Sequence, residues 1–311
     1  MNTAELFKER TVFSFEVYPA KKTAPIEVIY EAVDALSQLA PDYISVTYGA
    51  GGGSANAAAT VEIASLIKNT YGIEAVAHLP GINLTRADVD LLLVRLRARN
   101  IKNVLALRGD RRQKDDLPDV GRERLQEGEF DYATELVLYI RDTSMRGSSD
   151  RLGWPDRTPF NIIGACYPEV HPEAESAASD LQHLKEKVDA GTNQLVTQLF
   201  FDNDAFYRFL DRACAARIEV PIQAGIMPLI NARQAAHITA LCNPSVPPEL
   251  RAIIDKYRDD DASFRAAGID YATRQIADLI EQGVDGIHLY TMNNSETARA
   301  ITDAVYPLLG R

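Results

Sequence analysis

Short apolar runs that suit β-strands alternate with amphipathic runs that suit helices along nearly the whole chain. The strand candidates number eight and lie at 12–18, 43–48, 74–78, 103–108, 161–166, 194–200, 221–226 and 285–290. Helices are predicted at 26–39, 56–69, 86–99, 132–143, 177–190, 203–216, 231–241, 246–257, 262–282 and 295–308. This alternation within 311 residues predicts an α/β fold, a (β/α)8 or TIM barrel with extra helices. A doubly wound open sheet is the alternative, but it usually carries GxGxxG after its first strand, and this chain does not.

Two segments, 111–130 and 144–158, are longer than ordinary loops and are both polar and rich in turn-forming residues. We interpret them as polar surface insertions on one barrel, so residues 1–311 are predicted to form a single domain. Since no further module follows the last helix of this pattern, we expect no C-terminal regulatory domain.

Composition narrows the classes of function. The formal net charge of −11 argues against nucleic acid or an anionic membrane as a partner. No run of about 18 apolar residues is present, and the acidic N-terminus is unlike a secretory signal. Three cysteines without a CxxC pair are typical of a reducing cytosol, and five scattered histidines form no metal motif. We therefore expect a soluble, cytoplasmic protein without a metal site.

In a (β/α)8 barrel, catalytic groups lie at the carboxyl ends of the strands. Those ends carry Glu16, Tyr18, Thr47, Tyr48, His78, Arg108, Gly109, Asp110, Tyr167, His171, Gln198, Met227, Tyr290 and Thr291. Burial of Glu16 in its apolar strand would favour the protonated form, which makes it a candidate general acid. Alternatively, Glu16 pairs with a Lys or Arg, 108–110 is only a turn, and His78 is a core histidine.

The segment 166–193 joins a stiff loop to a strongly helical run. Pro168 and Pro172 restrict the loop, so its Tyr and His side chains are presented at low entropic cost. In the helix that follows, the spacing places four polar residues on one face: Ser176, Asp180, His183 and Lys187. A solvated face is the simpler interpretation, but this face begins at the predicted active end of the barrel. A long ligand with a stacking part and a charged tail would suit it.

Five blocks of sequence resemble the methylenetetrahydrofolate reductase family, in its bacterial form with the catalytic barrel alone. The blocks are SVTYGA (45–50), ALRGD (106–110), YPEVHPEA (167–174), KVDAGTN (187–193) and TQLFFD (197–202), and SFEVYP (14–19) and LYTMN (289–293) extend the match. The resemblance implies a flavoprotein oxidoreductase of one-carbon metabolism and methionine biosynthesis. It implies reduction of 5,10-methylenetetrahydrofolate to 5-methyltetrahydrofolate by a ping-pong hydride transfer through FAD, with NADH or NADPH as reductant.

The resemblance also assigns roles to residues. It implies that FAD is contacted by Thr47, His78, Leu107, Arg108, Gly109, Asp110, Ala165, Tyr167, His171, Asp180 and Lys187. It makes Glu16 the general acid and Asp110 the catalytic carboxylate near the flavin and pterin. It also makes Glu16, Gln198 and Gln234 the residues that contact the folate.

The chain departs from the family pattern at several positions. His183 and Glu186 stand where the family helix often has Asn and a basic residue, and Ala55-Asn56-Ala57 replaces an Arg-Asp pair. Ile238 replaces an aromatic residue, and Asn294 replaces an Arg. Two alternatives stay open, namely a flavin barrel acting on a substrate other than folate and a non-catalytic folate- or flavin-binding relative. The preferred nicotinamide and the oligomeric state, including a homo-oligomer, also stay open.

Overall fold

The strands close into one barrel. The computed structural model describes residues 1–19, 27–48, 54–82, 84–109, 128–146 and 158–310. All eight strands are parallel and lie in chain order around the barrel, with the last pairing to the first. They are β1 (Val12–Val17), β2 (Tyr43–Val46), β3 (Glu74–Pro80), β4 (Asn103–Leu107), β5 (Asn161–Cys166), β6 (Gln194–Thr197), β7 (Ile222–Ile226) and β8 (Gly286–Tyr290). The predicted barrel is confirmed, and the open sheet is ruled out.

Helices surround the barrel. Those within the described residues are α1 (Glu27–Ser37), α2 (Ser54–Asn69), α3 (Arg86–Ala98), α4 (Ala133–Arg146), α5 (Ala177–Asp189), α6 (Asn203–Ala215), α7 (Ala232–Cys242), α8 (Pro248–Lys256), α9 (Asp261–Glu281) and α10 (Ser295–Val305). Three of them, α7, α8 and α9, lie between β7 and β8, so the predicted extra helices are confirmed. No helix in the described part of the chain is long and apolar enough to cross a membrane.

The predicted boundaries were wrong in several places. The strand predicted at 194–200 ends at Thr197, and the strand predicted at 74–78 continues to Pro80. The predicted insertion at 144–158 begins too early, because α4 continues to Arg146. Most of both predicted insertions lies outside the described residues. A 3-10 helix at Thr3–Lys8 was not predicted, and it closes the amino end of the barrel.

Side-chain alternation along the strands separates two cores. On β1, Phe13, Phe15 and Val17 point outward and are fully buried beneath the helix layer. The other face of β1 points into the barrel, where Val12 packs with Leu6 of the amino-terminal 3-10 helix. Ser14 and Glu16 share that inward face, so the same alternation that builds the core carries Glu16 toward the mouth of the barrel.

A smaller apolar cluster supports the loop that follows β7. It contains Leu199, Phe201, Met227, Leu229, Ala235, Ile238, Leu250 and Phe264. Gly268 of α9 packs directly on this loop, because a Cβ placed there would lie 1.7 Å from the carbonyl oxygen of Leu229. The extra helices therefore hold the loop between β7 and α7 against the carboxyl end of the barrel.

Candidate active site

Glu16 lies at the mouth of the barrel between two histidines. Its side chain is 21% exposed. Its Oε2 atom lies 3.4 Å from Nε2 of His78 and 3.7 Å from Nε2 of His288. Among the described residues, no Lys or Arg lies within ion-pair distance of Glu16. The partners seen here are therefore imidazoles rather than the Lys or Arg of the alternative interpretation.

His78 reaches the same point from β3. Burial lowers the pKa of His78, and the nearby Glu16 carboxylate only partly opposes this effect. Its Nε2 atom is buried and has no hydrogen-bond partner within the described part of the chain. Because buried polar atoms in native proteins are almost always hydrogen-bonded, this atom is suited to a ligand at the barrel mouth.

The seam between β8 and β1 fixes the backbone around Glu16. The hydroxyl of Thr291 donates to the carbonyl oxygen of Glu16 at 2.6 Å. Tyr290 donates its hydroxyl to the carbonyl oxygen of Thr197 at 2.6 Å, and burial raises its pKa well above the ordinary value. Gly225 makes room for this contact, since a Cβ there would lie 2.8 Å from the tyrosine oxygen. The backbone carbonyl of Glu16 is thus held by a hydrogen bond, and the hydroxyl of Tyr290 keeps its proton at neutral pH.

A pocket of about 500 Å³, measured with its open mouth, lies between the end of β5 and α5. Its lining includes Ala165, Cys166, Tyr167, Glu169, Val170, His171, Ala177, Asp180, Leu181, His183, Leu184, Lys187, Phe209 and Arg212. The predicted helix face is confirmed for Asp180, His183 and Lys187. Ser176 instead caps α5, where its hydroxyl accepts from the amide of Ser179. Leu181 and Leu184 of the same helix also line the pocket, so its wall is partly apolar.

The loop between β5 and α5 holds its aromatic residues in place. The rings of Tyr167 and His171 meet edge to face at 4.5 Å between centroids. The amide of His171 donates to Oδ2 of Asp180 at 3.0 Å, which ties the loop to the helix. Nδ1 of His171 accepts from the amide of Glu173 at 3.0 Å, so the proton of the neutral ring lies on Nε2. Burial lowers the pKa of His171, which favours this neutral ring.

Two contacts from neighbouring elements brace the same loop. Arg212 of α6 donates to the carbonyl oxygen of Pro168 at 3.1 Å. Glu169 accepts from the amide and the hydroxyl of Ser245, each at 3.0 Å, although the two residues are far apart in sequence. The proline-stiffened loop is therefore held from both sides, as its predicted preorganisation requires.

Lys187 places a cation at the inner end of the pocket. Its Nζ donates to the carbonyl oxygen of Ala165 at 2.7 Å. Burial lowers its pKa, while the nearby Asp180 carboxylate opposes this shift. Burial raises the pKa of the Cys166 thiol to about 12, so this neighbour stays neutral at pH 7. Lys187 is partly buried, and an ammonium drawn away from water is stabilised by an anion, so the pocket suits an anionic group.

The end of β4 contributes Arg108 and Gly109. Arg108 forms a two-pronged ion pair with Glu173, at 2.5 and 2.7 Å, which links the ends of β4 and β5. Gly109 has a φ of +82°, and a Cβ there would lie 2.8 Å from the Cβ of Pro80, so the position requires glycine. Leu107 ends β4, and Thr47 follows β2 in the same ring of strand ends. Asp110 lies outside the described residues.

The side chains of the two glutamines predicted to contact folate are hydrogen-bonded to backbone amides in this structure. Oε1 of Gln198 accepts from the amide of Leu199 at 2.8 Å. Oε1 of Gln234 accepts from the amide of Ile230 at 2.9 Å, one turn away at the start of α7. A role in binding would require each side chain to exchange these contacts for a ligand.

The positions that depart from the family pattern have structural partners of their own. Ile238 is buried in the small cluster behind the β7 loop. Asn294 caps α10, because its side chain accepts from the amide of Thr297 at 2.9 Å. Glu186 faces solvent and accepts from Gln182 at 3.1 Å.

Sequence reasoning missed His288 and Glu173. His288 is two residues from Tyr290 on β8, so both side chains point to the same side of the strand. A polar residue inside this apolar strand was the signal that could have identified it. Glu173 carries no such signal, because its partner Arg108 lies 65 positions away.

The fold and the site together define a (β/α)8 barrel with the features of an enzyme at its carboxyl end. A carboxylic acid lies at the mouth, and a pocket with an inward cation lies beside it. A family model described as methylenetetrahydrofolate reductase matches residues 2–306, and the chain belongs to this family.

Relatives agree with this assignment. The chain is 36% identical to methylenetetrahydrofolate reductase (NADH) 1 of Arabidopsis thaliana, over 94% of this chain and 48% of the relative. It is 34% identical to 5,10-methylenetetrahydrofolate reductase of Escherichia coli strain K12, over 93% of this chain and 88% of the relative. The chain thus spans about half the length of the plant relative and most of the bacterial one.

A solved structure supports the fold. It is a protein from Clostridium thermocellum whose description reports two bound copies of 5-methyl-5,6,7,8-tetrahydrofolic acid. It is 14% identical, covers 98% of both chains and has a TM-score of 0.62. At this identity the likeness concerns the barrel alone.

Proposed function

We propose that this protein reduces 5,10-methylenetetrahydrofolate to 5-methyltetrahydrofolate, with FAD as cofactor and NADH or NADPH as the source of electrons. Membership of the family supports the reaction class. The observation that carries the proposal is Glu16 at the barrel mouth, beside two imidazoles and a cation-bearing pocket. The proposal takes Glu16 as the acid for the folate and the pocket as the binding place for a nucleotide.

The reaction balances as a two-electron reduction. The nicotinamide gives up a hydride and becomes oxidised, and one proton is taken up. The bond between the one-carbon unit and N10 of the folate breaks, while N10 gains the proton. The one-carbon unit gains the hydride and becomes the methyl group on N5.

Glu16 is the proposed proton donor. In its acid form it protonates N10, which opens the five-membered ring of the substrate and leaves a cationic iminium at N5. The resulting Glu16 carboxylate then faces that cation across the barrel mouth and stabilises it. Asp110, which follows Gly109, is proposed to add a second negative charge near the pterin.

The pocket beside β5 is the proposed seat of the adenine, ribose and phosphate part of FAD. Lys187 would pair with the phosphates. Nε2 of His78, which has no hydrogen-bond partner among the described residues, would donate or accept at the flavin end. When bound, FAD supplies the hydride chemistry that no side chain can provide. The other proposed contacts come from the list of strand-end residues: Thr47, Leu107, Arg108, Gly109, Ala165, Tyr167, His171 and Asp180.

The nicotinamide and the folate are proposed to bind in turn at one place beside the FAD, at the carboxyl end of the barrel, which would give a ping-pong cycle. Gln198 and Gln234 are the proposed folate contacts, once their amides leave the backbone atoms that they bind here. A single cytoplasmic domain also belongs to this proposal.

Spectroscopy of the purified protein tests the proposal. Protein reconstituted with FAD should show the two visible absorbance bands of an oxidised flavin. Anaerobic NADH or NADPH should bleach these bands, and 5,10-methylenetetrahydrofolate should restore them with formation of 5-methyltetrahydrofolate.

Each failure has a distinct meaning. Protein that cannot take up FAD would contradict the cofactor. Bleaching without recovery on addition of the folate would point to a flavin barrel with another substrate. Binding of flavin or folate without bleaching would point to a non-catalytic relative.

A further inference from the structure

A line of buried polar side chains runs through the interior of the barrel to Glu16. We call it the polar column, and it consists of Thr3, Gln194, Tyr43, Gln223, Ser14 and His288. All six are fully buried. Buried polar groups are costly unless each is satisfied, so a column of this length in a barrel core calls for a reason.

The side-chain amide of Gln223 determines which groups in the polar column donate hydrogen bonds and which accept them. Its Nε2 donates to the carbonyl oxygen of Ile287 at 3.3 Å, and a carbonyl can only accept. Its Oε1 must then accept from the hydroxyl of Tyr43. Gly286 leaves space for this amide, since a Cβ there would lie 3.0 Å from Cγ of Gln223.

Ser14 connects Gln223 to His288 by hydrogen bonds donated in the same order. Nε2 of Gln223 donates to Oγ of Ser14 at 3.0 Å. The single proton of Ser14 then has Nδ1 of His288 at 2.7 Å, against the carbonyl oxygen of Ile287 at 3.4 Å. The shorter contact makes Nδ1 an acceptor, so the proton of neutral His288 lies on Nε2.

Nε2 of His288 faces the acid. It lies 3.7 Å from Oε2 of Glu16 and 3.3 Å from Oγ of Ser45. The distance to Oε2 of Glu16 is longer than a hydrogen bond, but hydrogen bonds in catalytic sites often shorten only when a substrate is bound.

We propose that His288 is a positioning residue for Glu16, with its tautomer set by the polar column. In this structure the nearer acceptor for its Nε2 hydrogen is Oγ of Ser45 at 3.3 Å, with Oε2 of Glu16 at 3.7 Å. When substrate is bound, this hydrogen is proposed to move to Oε2, which leaves Oε1 to carry the proton that is transferred to substrate. As that proton leaves, the same N–H stabilises the new carboxylate through a charge-assisted hydrogen bond. This inference rests on the proposed role of Glu16 as the acid.

At the amino end of the barrel, the hydrogen bonds of the polar column are donated in the same order, toward His288. The hydroxyl of Thr3 donates to Oε1 of Gln194 at 2.8 Å, and Nε2 of Gln194 lies 3.5 Å from the Tyr43 hydroxyl. Burial raises the pKa of Tyr43, so its hydroxyl keeps the proton that it donates to Gln223. The amino-terminal 3-10 helix thus reaches the acid through the barrel interior.

Nitrogen NMR of histidine-labelled apoprotein tests the tautomer without any ligand. The chain has five histidines, so loss of one signal in His288→Gln identifies His288. We expect a protonated Nε2 and an unprotonated Nδ1 in the wild type. In Ser14→Ala, which removes the donor to Nδ1, we expect this fixed tautomer to be lost. A wild-type ring protonated on Nδ1, or one unchanged in Ser14→Ala, would overturn the inference.

Kinetics of two side-chain replacements test the consequence. The amide nitrogen of Gln reaches the place of Nε2, whereas Asn reaches only the place of Nδ1. In His288→Asn, reoxidation of the reduced enzyme by 5,10-methylenetetrahydrofolate should slow by roughly 10-fold or more, as expected for a hydrogen bond to a charged group. His288→Gln should retain most of the wild-type rate, and reduction by NADH should survive in both variants.

The outcomes separate the two proposals. A wild-type enzyme that turns over the folate while Gln and Asn variants behave alike would overturn the role of His288 alone. Equal losses in both half-reactions would make His288 structural. A wild-type protein without any folate reaction would remove the proposed function, while the tautomer measurement would still decide the geometry of the column.

Discussion

Replacement of Lys187 by Met should separate ligand binding from stability. Met keeps most of the length of the side chain but removes the charge. The apoprotein loses one hydrogen bond to the carbonyl oxygen of Ala165, which is worth about 1 kcal/mol. It also no longer has to desolvate an ammonium, the effect that lowers the pKa of Lys187, and this gain opposes the lost hydrogen bond. We therefore expect the free energy of unfolding without FAD to be unchanged or higher.

FAD binding should change in the opposite direction. A hydrogen bond to a charged group is worth about 1.5–3 kcal/mol, which corresponds to a roughly 10- to 150-fold weaker Kd for FAD. The assay is a fluorescence titration of apoprotein with FAD, paired with urea denaturation in its absence. Lys185→Met is the matched control, since Lys185 pairs with Asp189 along the outside of the same helix. Its removal should cost about 0.3–0.5 kcal/mol and leave the Kd for FAD unchanged.

The result that would refute this reasoning is the reverse pattern. If Lys187→Met lowered the stability of the apoprotein by several kcal/mol and left FAD binding intact, Lys187 would serve β5 rather than a phosphate. Equal effects of Lys185→Met and Lys187→Met on FAD binding would point to a general loss of positive charge.

Two further predictions concern stability. Gly268→Ala should lower the free energy of unfolding by about 3 kcal/mol or more despite the better helix propensity of Ala, because its Cβ would lie 1.7 Å from the carbonyl oxygen of Leu229. Gly283→Ala, at a φ of +77° in open space, should cost only about 1–2 kcal/mol in the same urea assay. Since burial lowers the pKa of His78 below 6.5, the unfolded chain takes up this proton first as pH falls. Stability should then fall by up to about 1.4 kcal/mol per pH unit below pH ~6.5, and His78→Gln should remove that part of the slope in apoprotein denaturation curves.

The barrel was predictable because its strands and helices have different periods. Outward residues such as Phe13 and Phe15 must be apolar, since they lie beneath helices. Inward residues such as Glu16 are then recognisable as exceptions that need a purpose. The polar face of α5 was predictable for the same reason, because Asp180, His183 and Lys187 recur at helical spacing.

Side-chain partners that are remote in sequence were not predictable. The pair formed by Arg108 and Glu173 depends on how two loops bend back over the barrel mouth. The amide of Gln234 binds the backbone of its own helix start, and periodicity cannot show which way a long side chain turns. The tautomer of His288 depends on Ser14 from another strand, a relation that exists only once β1 and β8 pair.

Rapid mixing of Glu16→Gln and wild-type enzyme tests the central claim most directly. Gln keeps the shape and the hydrogen bonding of Glu16 but has no acidic proton for N10. Reduction of bound FAD by NADH should proceed at close to the wild-type rate in the variant. Reoxidation by 5,10-methylenetetrahydrofolate should slow by at least the roughly 100-fold typical of losing a general acid. If both half-reactions slowed to the same extent, or if neither changed, Glu16 would not be the acid of this reaction.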